Sequence, residues 1–266
     1  MGCNHSKTET KNNALEEKIT THQNTPHTNI KTVTTQSDNQ GDDNEHTIEM
    51  PWAWVKATSD IVENFQDYKR CQDDDDGDED GITSKNKPTK LVPWLYLSGE
   101  YQVRQYAKSY LTEGNPYEIT HVLSTNKMSP RDLSTLSKLL QAANIQHCAI
   151  PAKDEEGYDL IGHHWSSCLD FLQNVKDVKG KVIVHCAAGM NRSALIACAA
   201  IMILDEMTLL NVVRLVKKKR GYLLTNKSFQ RQLCLLAAKE SLLGEKPSGY
   251  SDDALEEEAV VEVQSF

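Results

Sequence analysis

Between positions 181 and 200 the chain reads KVIVHCAAGMNRSALIACAA. Val182, Ile183 and Val184 have the composition of a fully buried central strand ending at His185, and the apolar run after Arg192 has that of a buried helix. Cys186, Gly189, Arg192 and Ser193 stand at the junction. A strand-to-helix junction of this kind is an anion site. Backbone N–H groups of a tight loop, here Ala187, Ala188, Gly189, Met190 and Asn191, converge on one point, and the helix N-terminus adds partial positive charge. Gly189 permits a turn that a Cβ would hinder. The planar Arg192 guanidinium matches two phosphate oxygens.

The same field acts on Cys186. A thiol at a helix N-terminus beside Arg has its pKa lowered to roughly 3.5–7.5, against about 8.5 when free. The resulting thiolate can attack phosphorus and form a phosphocysteine. Arg192 and the loop amides stabilise the equatorial oxygens in the transition state. A hydroxyl at Ser193 can donate to the sulfur and help it leave. This chemistry calls for no metal and no cofactor.

His185, Cys186, Gly189, Arg192 and Ser193 together resemble the HCxxGxxR signature, closed by Ser or Thr, of the protein tyrosine phosphatase superfamily, in its dual-specificity branch. The leaving oxygen needs a proton, and the resemblance places the donor in IPAKDEEGYDL, where Asp154 is implied as general acid and later as base. Glu155, Glu156 and Asp159 are rivals on the same loop, read as solvated acids. LYLSGEYQ looks like the family's opening strand. LLTNKSFQRQL resembles a later stretch of the family, with Leu223, Asn226, Phe229, Gln232 and Leu233 in matching places. Thr225 stands where that stretch carries Pro, and Arg220 sits one place early. The resemblance covers about residues 89 to 243.

The resemblance implies a phosphatase acting on phospho-Tyr and phospho-Ser/Thr in protein substrates. The tyrosine-recognition segment of tyrosine-specific relatives is absent, which implies a shallower pocket. Neutral Ala187, Ala188, Met190 and Asn191 count against a phosphoinositide substrate. The Asn191–Arg192 pair is similar to RNA 5′-triphosphatases of the superfamily, which generally lack the acid. A catalytically weak phosphoprotein-binding pseudophosphatase is the alternative from another class, and the presence of nucleophile, clamp and acid counts against it.

These groups must be held by alternating strands and helices. Strands are expected at Leu95–Gly99, His121–Thr125, Gln146–Pro151 and Lys181–His185. Helices are expected after the Ser129-Pro130 cap, through Leu160 to Val175, and at Arg192–Asp205, Thr208–Lys219 and Asn226 to about Leu243. The pattern predicts a single α/β domain with a central, mostly parallel sheet flanked by helices, preceded by a long disordered tail.

Organisation around that domain follows composition. Residues 1–50 are polar and are expected to be a disordered tail. Residues 51–88 hold a short helical stretch, with Trp52, Trp54, Val55, Ile61, Val62, Phe65 and Tyr68 at loosely helical spacing, that docks on the domain or on a partner. An acidic linker with Asp73 to Asp80 completes that segment. The catalytic domain is expected at 89–246, and an acidic tail at 247–266. Net charge is −9, which argues against a general nucleic-acid binder. Seven cysteines without paired CxxC spacing argue against a disulfide framework or zinc site and for a reducing compartment. The longest apolar run, Ala194 to Leu204, is too short to span a bilayer.

Met1-Gly2-Cys3-Asn4-His5-Ser6 fits the N-myristoylation pattern on Gly2, with Cys3 as a palmitoylation site. A single acyl chain binds membranes only marginally, so two are expected to tether the chain to the cytosolic face of a membrane. Oligomeric state is not legible. Asp76 to Lys87 imitates a calcium loop but lacks its final Glu. Lys217, Lys218, Lys219 and Arg220 read as a solvated helix end, with docking of acidic or phosphorylated partners as the alternative. Cys148 is a candidate to approach Cys186 and trap it as a disulfide on oxidation. Cys168, Cys198 and Cys234 read as small core residues.

Overall fold

A computed structural model describes residues 48–64 and 87–253. The lipidation motif at Gly2 and Cys3, the calcium-like stretch before Lys87 and the end of the acidic tail lie outside the described residues. In chain order the elements are α1 (Trp52–Glu63), β1 (Thr89–Val92), β2 (Leu95–Gly99), α2 (Glu100–Glu113), β3 (His121–Ser124), α3 (Pro130–Ala142), β4 (Gln146–Ala149), α4 (Leu160–Asp177), β5 (Val182–Cys186), α5 (Arg192–Leu204), α6 (Leu209–Arg220) and α7 (Lys227–Lys239).

Strand order is β1-β2-β5-β3-β4. Only β1 runs antiparallel, paired to β2 through a tight hairpin. The other pairings are parallel, so the expected α/β architecture with a mostly parallel sheet is what the chain adopts. All five residues of β5 are buried, as its continuous apolar run requires when helices cover both faces. Alternation along the strands divides the core. Val182 and Val184 face the layer of α1, α4, α5, α6 and α7. Ile183, with Tyr96 and Val122, faces α2 and α3 through Val103, Tyr106, Leu136 and Leu140. Register sets Gly99 beside Cys186, and Ser124 beside His185. The carboxyl ends of three adjacent strands therefore open at one edge, where α/β sheets place their ligands.

Local signals start several helices. Ser129 Oγ accepts the Asp132 N–H at 3.1 Å ahead of Pro130. Asp159 caps α4, and Asn226 caps α7. Two elements go beyond the expected set. β1 is four residues between Pro88 and Pro93, too short for a strand period to register. α2 carries Val103, Tyr106, Ala107 and Tyr110 at helical spacing, a usable signal diluted by polar neighbours. α7 ends at Lys239, earlier than the expected Leu243.

The stretch at residues 51–70 forms α1 up to Glu63 and docks on its own domain; residues 65–70 lie outside the described ones. Ala53, Val55, Ala57 and Val62 are buried in the larger core. Trp54 Nε1 donates to the Leu243 carbonyl at 3.0 Å, and Tyr250 donates its hydroxyl to Asp60 at 2.7 Å. Lys217, on α6, is only 3% exposed, and its ammonium donates to the Val62 carbonyl at the end of α1. The reading of Lys217 as part of a solvated helix end is therefore wrong. Lys217 is covered at the α1 end, where its ammonium serves the Val62 carbonyl. All described residues fall in one compact unit.

Candidate active site

Cys186 is the last residue of β5 and is 1% exposed. Its Sγ accepts the Gly189 N–H at 3.2 Å and the Ser193 hydroxyl at 3.2 Å. Burial is the largest influence on the thiol and pushes its pKa up. Against it act the Ser193 hydroxyl, the Ser193 and Met190 amides and the Arg192 charge. Together they outweigh burial, and the thiol lies below its ordinary value.

The loop from Ala187 to Asn191 turns its amides inward because its carbonyls are taken from outside. Glu100 N–H donates to Ala187 O at 3.2 Å. Arg220 donates to Ala188 O from Nη2 at 3.3 Å and to Gly189 O from Nε at 3.2 Å. Leu224 N–H donates to Met190 O at 2.9 Å. With each carbonyl held outward, the intervening N–H groups face the mouth of the loop, the arrangement an anion needs. Gly189 has φ +70°, and a Cβ there would lie 2.5 Å from the Ser98 backbone. No other residue type fits that approach without moving β2.

Arg220 is thus the second correction to the solvated helix end. The resemblance marked Arg220 only as a basic residue one place early, and its contacts with the loop carbonyls appear only when α6 is folded against the loop. Lys218 and Lys219 are exposed, as read.

Asp154 lies over this loop. Its Oδ2 is 3.7 Å from Arg192 Nε, and its Oδ1 accepts amide N–H bonds from Asn191 and Asn226, each at 3.3 Å. Arg192 also donates from Nη1 to Ala152 O at 3.3 Å. The three rivals have other work. Asp159 caps α4 by accepting the Gly162 N–H at 2.8 Å. Glu156 pairs with Arg231 at 2.9 Å and Glu155 with Lys153 at 3.4 Å, both at the surface. Cys186, Arg192 and Asp154 are brought together in one place. Asn226, Arg220 and the Ala152 carbonyl join from distant segments.

His185 is buried beneath the loop. Its Nε2 is 2.6 Å from Ser124 Oγ, which is also 2.8 Å from His147 Nε2. Burial holds the His185 pKa down at about 4, so the ring is neutral at pH 7. Thr125 donates from both N and Oγ1 to the His185 carbonyl, at 2.8 and 2.9 Å, and fixes the strand end.

Cys148 is not placed to meet Cys186. It lies on β4, with β3 between it and β5, and its register partner Leu123 is opposite Val184. Two strand spacings and two residues of offset separate the Cα atoms by about 12 Å. A disulfide spans no more than about 7 Å. Cys168, Cys198 and Cys234 are fully buried, and burial pushes each thiol up to about 12.

A thiol whose ionisation is favoured, at the mouth of an amide-lined loop on a mostly parallel sheet wrapped by helices, is the arrangement of a cysteine-based phosphatase. Residues 101–239 match the family model described as the dual specificity phosphatase, catalytic domain. The chain belongs to that family and is a protein phosphatase of the tyrosine and serine/threonine class. Human dual specificity protein phosphatase 26 is 29% identical over 157 residues, which span 59% of this chain and 70% of the relative. Dual specificity protein phosphatase 1-A of Xenopus laevis is 30% identical over 146 residues, 55% of this chain and 36% of the relative. The crystal structure of DUSP15 aligns with 25% identity and a TM-score of 0.48, covering 63% of this chain and 99% of that one.

Proposed function

We propose that this chain hydrolyses phospho-Tyr and phospho-Ser/Thr in proteins through a phosphocysteine on Cys186. The Cys186 thiolate attacks phosphorus in line with the ester oxygen. The S–P bond forms as the P–O bond breaks, and Asp154 gives its proton to the departing oxygen. Arg192 and the amides of Ala187, Ala188, Gly189, Met190 and Asn191 hold the phosphoryl oxygens. Asp154 then takes a proton from water, which attacks phosphorus. The S–P bond breaks, inorganic phosphate leaves, and Ser193 stabilises the returning thiolate. The observation that carries this reading is Cys186 Sγ held by Ser193 and Gly189 at the mouth of an inverted loop, with its ionisation favoured.

The test is hydrolysis of an aryl phosphate in the presence of EDTA. Turnover is expected to survive the chelator, to vanish in Cys186→Ser, and to fall about 10²–10⁴-fold in Asp154→Ala on poor leaving groups. Full activity of Cys186→Ser would remove the proposal. We further propose that Gly2 and Cys3 carry myristoyl and palmitoyl groups that tether the chain to the cytosolic face of a membrane, on the strength of the sequence pattern. Incorporation of a clickable myristate analogue, abolished in Gly2→Ala, tests it.

A further inference from the structure

Asn191 does more than lend an amide to the loop. Its side-chain Oδ1 faces the Thr225 N–H at 2.8 Å, the Thr225 hydroxyl at 3.1 Å and the Asn226 N–H at 3.4 Å. Backbone N–H groups only donate, so Oδ1 must lie on that side and Nδ2 on the other. Nδ2 then points at Asp154 Oδ1, 3.3 Å away. Asn226 is fixed by the same logic. Its Oδ1 accepts the Phe229 N–H at 3.3 Å as the α7 cap, which turns its Nδ2 to Asp154 Oδ1 at 3.3 Å and to Glu155 O at 3.4 Å.

Two amides of enforced orientation therefore converge on one carboxylate oxygen. Oδ2 lies on the other side, 3.7 Å from Arg192 Nε. Thr225 is a precondition of the Asn191 arm. A proline at that position, where the resembling stretch carries one, has neither the N–H nor the hydroxyl. With Thr225 present, the phosphate loop, the acid loop and the α6–α7 connection are tied through one side chain.

We propose that Asn191, oriented by Thr225, is a positioning residue that presets Asp154 over the bound phosphoryl group. The proposal rests on Asp154 being the general acid. The arm matters most where the leaving oxygen cannot depart without a proton. A good leaving group has little need of it.

The test compares phenyl phosphate, a poor leaving group, with 4-nitrophenyl phosphate, a good one, in the full chain. Asn191→Ala and Thr225→Pro are expected to lose about ten-fold or more in kcat on phenyl phosphate, a share of the general-acid contribution, and to lose several-fold less on 4-nitrophenyl phosphate. The double variant should be no slower than the slower single one, because both break one linkage. Asn191→Asp keeps size and the acceptor toward Thr225 but sets a carboxylate against Asp154. It is expected to move the alkaline limb of the kcat profile to higher pH, which a packing role would not do. Its near-identical shape keeps the proposal falsifiable if Asn191→Ala does not fold. Equal losses on both substrates, additive losses in the double variant, or an unmoved alkaline limb in Asn191→Asp would overturn the proposal. Asp154→Asn serves as the reference. If it shows no preference between the two leaving groups, the general-acid assignment falls, and the proposal with it. If it does and Asn191→Ala does not, the proposal alone falls.

Discussion

Arg220 Nε donates to the Gly189 carbonyl oxygen at 3.2 Å, from the last residue of α6 to the middle of the phosphate loop. The same guanidinium reaches Ala188 O and Thr89 Oγ1. One fork thus turns two consecutive carbonyls away from the site and ties the loop to the edge strand. The anion site is made as much by what pulls carbonyls outward as by the amides that remain inside.

Arg220→Ala is expected to weaken binding of inorganic phosphate about ten-fold or more, since bonds from a charged donor contribute about 1.5–3 kcal/mol. Arg220→Lys should not rescue it, because a point charge cannot span two carbonyls. Competitive inhibition constants for phosphate measure both. Unchanged constants in Arg220→Ala would show that the loop keeps its shape unaided.

Ser193→Ala removes the largest of the influences that lower the Cys186 pKa and leaves burial, which raises it. The thiol is therefore expected to ionise at higher pH than in the wild type. Rates of alkylation by iodoacetamide across pH read this directly. Breakdown of the phosphocysteine should also slow, because the departing sulfur has lost a donor. An unmoved alkylation curve would contradict the role given to the hydroxyl.

His185 links folding to pH. Burial holds its folded pKa at about 4, below the ordinary value of 6.5 for histidine. Between those values the unfolded chain binds more protons than the folded one, so stability falls as pH drops from 6.5 toward 4 and this group adds no slope above 6.5. The full interval corresponds to about 3 kcal/mol. Urea melts at pH 7, 6 and 5 should show His185→Gln losing stability less steeply than wild type, by about 1 kcal/mol per pH unit. Parallel slopes would place the pH dependence elsewhere.

The docking of α1 predicts that it belongs to the stability of the domain. Val55 is 3% exposed in the larger apolar core, and a carboxylate there would be taken out of water. Val55→Asp is expected to lower the urea midpoint by several kcal/mol equivalents of stability, about 3 kcal/mol or more, as unpaired buried charges do. A midpoint equal to wild type would mean that α1 is held only loosely.

Much of the site is local and so was legible. Cys186, Gly189, Arg192 and Ser193 fall within eight consecutive residues, and a buried strand running into an apolar helix already dictates inward amides and a favoured thiolate. The alternation of elements set the α/β class for the same reason, since period and capping are properties of neighbouring residues. That Asp154, among the acids of its loop, would lie over the site was expected only through resemblance, because nothing in IPAKDEEGYDL itself separates it from Glu155, Glu156 or Asp159.

Tertiary structure decided whatever depends on which distant segments meet. Arg220 looks like a solvated helix end until α6 is packed beside β1 and the loop. Lys217 looks the same until α1 covers it. The interposition of β3 between β5 and β4 keeps Cys148 away from Cys186, although both cysteines sit on strands of one sheet. Asn191 and Asn226 lie far apart along the chain, and only the fold brings their side-chain amides to one carboxylate, with Thr225 orienting the first. Chain order encodes propensities over a few residues; the partners of a hydrogen bond across 34 or 72 positions are set by packing, which no local pattern records.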